Sequence, residues 1–124
     1  MTAESDSKLH DRLATPPITV DGVEALAAWL EGTLGARLSA FAAGVTARDL
    51  ARIAHGEERP DTNAERRLRN VFAVASLLAA RDGAGSAYAW LTEPNAELGQ
   101  RTPAELLHDG QTPEAVWFAA APVF

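Results

Sequence analysis

From Thr19 onward, apolar residues recur at helical rather than alternating spacing. Val23, Leu26, Ala27 and Leu30 stand at i, i+3, i+4 and i+7, which marks one buried helix face, with Asp21 as N-cap and Gly32 or Gly35 as the stop. An Ala-rich helix follows over Ala36 to Ala43 and breaks at Gly44. Thr46 and Asp49 are spaced as a capping box, with Asp in place of the usual Glu, opening a helix to His55 that Gly56 ends before Pro60 closes the loop. The longest helix is predicted from about 62 to 81, with Thr62 as cap and Glu65 as its reciprocal partner. Leu68, Val71, Phe72, Ala75 and Leu78 form its buried stripe. Residues 82–85 read as a turn, 86–91 as a short helix and Pro94-Asn95 as a second turn. In Thr102-Pro103-Ala104-Glu105, Thr caps a helix, Pro takes its first position and Glu reaches back; Gly110 ends it. Thr112-Pro113-Glu114 repeats the device for a terminal helix. No run alternates as a strand does, so the expected fold is all-α.

Composition narrows the picture. The 124 residues suit one compact domain, or two small halves sharing a core, and a 47% hydrophobic content excludes disorder along the whole length. The expected organisation is an arm over 1–17 ending in Pro16-Pro17, a helix-turn-helix region over 18–70 and a second helical unit over 71–124, with the helix 62–81 shared between them. Cysteine is absent, which removes disulfides and thiolate metal sites. Neither a membrane-length apolar run nor the apolar core of a signal peptide is found, so a cytoplasmic protein is expected. The net charge of −6 opposes binding to nucleic acid by electrostatics alone. Its distribution is uneven: residues 1–45 hold 3 bases and 6 acids and residues 71–124 hold 2 and 6, whereas 46–70 hold 6 arginines against 5 acids. A DNA-facing surface belongs in that middle segment.

Residues 36–55 suit a helix-turn-helix. Ala40 lets two helices cross closely, Gly44 tolerates the turn, and Val45, Leu50 and Ile53 supply the apolar positions. Arg48, Arg52 and His55 share the face opposite Leu50 and Ile53, which is the layout of a recognition helix able to reach guanine edges or phosphates. A solvated face with no ligand has the same spacing, and Asp49, Glu57 and Glu58 dilute the arginines' field.

The most specific text is Trp90-Leu91, Pro94-Asn95, Leu98-Gly99, Pro103, Leu106-Leu107 and Gly110 in series. Each residue has a structural use: Trp90, Leu98, Leu106 and Leu107 as core, Pro94 and Asn95 as turn, Thr102 and Pro103 as cap. No catalytic group stands among them. The series resembles the toxin-binding domain of Xre/MbcA/ParS-type antitoxins, whose hallmark is this order at this spacing. The upstream part, Leu34-Gly35 through Arg67-Leu68-Arg69, resembles the Xre-like helix-turn-helix of the same family, so the likeness spans roughly residues 20–120. One departure is visible: Ile53 stands where relatives often carry Trp.

The resemblance implies a toxin-binding domain over 71–124, no enzymatic activity and no cofactor. It further implies a cognate toxin, often a RES-domain enzyme that destroys NAD, whose cleft the antitoxin's C-terminal portion blocks. Repression of the antitoxin's own operon DNA through the helix-turn-helix follows from the same likeness, as does a homodimer. The terminal segment places Trp117, Phe118, Val123 and Phe124 on a helix and chain end too apolar to leave in water. It must cover its own domain, a second copy or a partner; the resemblance favours the toxin. His10, His55 and His108 lack metal-ligand spacing, and Gly83-x-Gly85 lacks both a third Gly and a preceding strand. The alternatives are a stand-alone helix-turn-helix transcription regulator and a purely structural dimerisation module.

Overall fold

The computed structural model describes residues 22–119, which form seven α-helices and one 3-10 turn with no strand among them. These are α1 (Gly22–Leu34), α2 (Ala36–Ala43), α3 (Ala47–Ala54), α4 (Thr62–Asp82), α5 (Ala84–Thr92), the 3-10 turn (Ala96–Leu98), α6 (Pro103–His108) and α7 (Pro113–Ala119). The arm over 1–17, the Asp21 cap, Val123 and Phe124 lie outside the described residues. The protein is all-α.

The structure decides one boundary that the sequence left open and moves two others, each for a local reason. Helix α1 runs through Gly32 and stops at Gly35, because Leu34 is buried and Gly35 takes φ 88, a conformation that favours glycine. Asp61 rather than Thr62 caps α4: its extended backbone aims Oδ1 at the Ala64 N–H, 2.8 Å away. The one-residue shift takes Glu65 off the reciprocal position, and it pairs with Arg69 at 3.1 Å instead. The turn expected over 82–85 contracts to Gly83 (φ 93), so α5 begins at Ala84 and contains Gly85.

A single buried cluster takes Leu26 from α1, Ala40 from α2, Leu50 from α3, Leu68 from α4, Leu91 from α5, Leu107 from α6 and Val116 from α7. Helix α4 is its spine. Besides the predicted stripe of Leu68, Val71, Phe72, Ala75 and Leu78, it buries Val74, Ser76 and Leu77. Trp29 meets Phe72 edge-on, with centroids 5.1 Å apart and planes at 77°, a favourable arrangement of ring quadrupoles. The buried Ser39 hydroxyl donates to the Leu30 carbonyl at 2.9 Å and ties α2 to α1.

Candidate functional site

Two surfaces carry the residues singled out by sequence. The first is the α2–α3 pair. Gly44 adopts φ 71, ψ 29, which lets its own N–H reach the Phe41 carbonyl at 3.1 Å and the Val45 N–H reach the Ala40 carbonyl at 3.0 Å. A Cβ at Gly44 would stand 3.3 Å from Arg67 Nη1, so this turn packs directly on α4. Thr46 then caps α3 by accepting the Asp49 N–H at 3.0 Å. Leu50 and Ile53 are buried while Arg48, Arg52 and His55 are exposed, as the helical spacing requires.

Those three outward residues are not equally available. His55 caps its own helix: Nδ1 lies 2.8 Å from the Ala51 carbonyl and must carry the proton to bond there. The Arg52 Nε is 3.6 Å from a Glu58 carboxylate oxygen. Arg48 makes no ion pair among the described residues.

The second surface is built from α4 through α7. Asn95 accepts the Glu97 N–H on its side chain at 2.8 Å, while its backbone N–H donates to the Arg101 carbonyl at 3.0 Å. Gly99 (φ 66) and Gln100 (φ 70) take left-handed conformations in succession and close this loop. Thr102 and Glu105 complete a reciprocal capping box with bonds of 3.1 and 2.8 Å. The Thr102 backbone bond, with smaller contributions from its side chain and Arg101, lowers the Glu105 carboxyl below its ordinary value. The Arg101 guanidinium hydrogen-bonds the Asp109 carboxylate, lowering that group and raising its own.

The Trp-Leu, Pro-Asn, Leu-Gly series is thus largely scaffold. Leu91, Pro103 and Leu107 are buried; Trp90, Leu98 and Leu106 are half-buried, and Pro94 and Gly99 are exposed. Trp90 sits at the rim of the core, its ring 5.7 Å from that of Trp117 and inclined at 45°.

Trp117 and Phe118, neighbours in sequence, therefore face different ways. Trp117 packs against the core beside Trp90, whereas Phe118 is 82% exposed. Phe118 borders a shallow apolar groove between α4 (Ala73, Val74, Leu77) and α7 (Pro113, Trp117). The α4 side of this groove is absent from the sequence-derived stripe; the signal was the apolar run from Val71 to Ala80, interrupted only at Ser76. A further link joins α6 to α2: the His108 ring stacks on Phe41 at 4.6 Å, with Nδ1 2.7 Å from the Phe41 carbonyl. Among the described residues no group of three or more His, Asp or Glu is gathered to hold a metal, and no helix is long and apolar enough to cross a membrane.

Residues 68–115 match the family model of the antitoxin Xre/MbcA/ParS C-terminal toxin-binding domain. No curated protein and no solved structure matches the chain. The matched segment runs from within α4 into α7 and contains the whole Trp90 to Gly110 series. It leaves out α1, α2 and α3, and stops short of Trp117 and Phe118.

Proposed function

We propose that the chain is an antitoxin of the Xre/MbcA/ParS family, whose C-terminal toxin-binding domain residues 68–115 match, and that it neutralises a cognate toxin by covering the toxin's active-site cleft. The match over 68–115 carries this reading, and Phe118 supports the surface it assigns. Burying a large apolar side chain that stands in water is worth about 1.5–3 kcal/mol, and aromatic anchors dominate interfaces. The groove beside Phe118 gives the partner a place to seat its own apolar groups. Val123 and Phe124, outside the described residues, are assigned to toxin contact by the family reading alone. Trp117, held against Trp90, serves to orient this end of the protein.

A RES-domain NAD-degrading enzyme is the toxin type this family reading favours. NAD is met in the cytoplasm, so the antitoxin works there. As a homodimer whose Arg48, Arg52 and His55 face paired half-sites, it also represses its own operon. A regulator without a toxin partner is the weaker reading, because the matched segment is the toxin-binding portion.

Co-expression with the product of the adjacent reading frame tests the proposal. The full chain restores growth and co-purifies with the toxin. Deleting residues 118–124, which removes the exposed Phe118 together with the chain end, leaves the protein folded but unprotective. Full protection by the truncated chain means that inhibition uses another surface.

A further inference from the structure

The protein is acidic overall, so any affinity for DNA needs a local cationic surface. Helix α3 alone supplies little of it, since it carries only two arginines, Arg48 and Arg52, beside Asp49 and Glu58, and His55 is bonded to its own helix. A second surface begins one residue beyond Glu58. Arg59, Thr62, Arg66, Arg69 and Asn70 line an open groove at the start of α4, with Glu65 as the one acid on its wall. Three guanidinium groups there face one carboxylate. Arg66 donates to the neutral Asn63 side chain at 2.6 Å and keeps its full charge. Glu65 offsets Arg69 in a pair whose side chains are 42% and 51% exposed, loose enough to re-form around another anion.

We infer that this groove is a binding site for the sugar–phosphate backbone of duplex DNA. The inference deepens the operator reading above by adding a grip that does not depend on base sequence. The donor types fit, because phosphate oxygens are contacted mainly by Arg and Lys with Thr and Asn hydroxyl and amide groups. The position fits as well: the Arg52–Glu58 pair joins the outer face of α3 to the loop that carries Arg59. Base discrimination belongs to α3 and electrostatic hold to the groove.

The test uses the full chain and two labelled duplexes, one from upstream of its own gene and one scrambled, titrated across salt concentrations. The triple variant Arg59→Ala/Arg66→Ala/Arg69→Ala weakens both duplexes alike, on the order of tenfold or more near physiological salt, and shallows the log K against log salt slope by about 3. The three-lysine counterpart keeps most of the binding. Arg59→Glu alone, in the loop before α4, weakens both duplexes even where the triple variant is poorly folded. Arg48→Ala/Arg52→Ala instead changes the ratio between the two duplexes; an unchanged ratio removes α3 from base reading and leaves the groove standing. The inference is overturned by a folded triple variant with unaltered affinity and slope, by loss confined to one duplex, or by a wild-type chain that binds neither. Loss of toxin affinity with DNA binding intact also overturns it and assigns the groove to a protein partner.

Discussion

Ser76 lies fully buried in α4, and its hydroxyl finds no hydrogen-bond partner among the described residues. A buried unpaired hydroxyl loses its water contacts without replacement, so Ser76→Ala is predicted to stabilise the protein by about 1 kcal/mol, also gaining helix propensity. Urea unfolding reads this, and a lower midpoint would mean that a partner had been removed. Trp90 and Trp117 touch, so alanine replacements at the two sites should couple by about 0.5–1.5 kcal/mol in a double-mutant cycle; strict additivity denies the contact. Glu105 and Asp109 have carboxyls lowered in the fold by Thr102 and Arg101. Their contribution is complete above the ordinary carboxylate range of about 4 and is lost as pH falls through the lowered values. Stability should therefore drop on acidification, and Glu105→Gln with Asp109→Asn should flatten that drop; an unchanged acid limb contradicts the assignment. The Thr102 box was legible in sequence because every group it joins lies within four residues. Asp61 was not, since Asp61 and Thr62 are adjacent and equally suitable caps, and only the path of the loop decides between them.

At the scale of elements, periodicity identified the helices and left some of their joints open or misplaced. Whether Gly32 or Gly35 ends α1, and whether 82–85 forms a turn or a single-residue hinge, depends on where Leu34 and Ala87 must go to be buried. Gly44 shows the joint that matters most for the α2–α3 pair. Gly44→Ala forces a left-handed residue with a Cβ and crowds Arg67, so a loss of about 1–2 kcal/mol is expected. Thermal melting checks it, and an unchanged midpoint shows that Arg67 and the turn adjust freely. The candidate site was legible only in part. Phe118 followed from an apolar end, but the α4 wall of its groove did not. A single stripe counts one helix face, and Ala73, Val74 and Leu77 gain their role only because α7 returns alongside α4.

Over the whole molecule, one core joins the α2–α3 pair to the toxin-binding domain through α4, so the two candidate surfaces are held by the same spine. Charge separates them: the arginines gather in 46–70, and the C-terminal domain is acidic apart from Arg81 and Arg101. This separation was legible from sequence alone, because it needs only the order of residues. The division of exposure between Trp117 and Phe118 was not, because it depends on Trp90 occupying the inner side of α7. The central claim is that the outer end of α7 anchors the toxin, and its most direct test is the affinity of the purified toxin for the Phe118→Ala chain. Phe118 is 82% exposed, so its removal should leave thermal melting unchanged. With toxin seated on Phe118, the variant loses at least about 2 kcal/mol in binding, roughly thirtyfold in Kd. Undiminished affinity in the folded variant contradicts it.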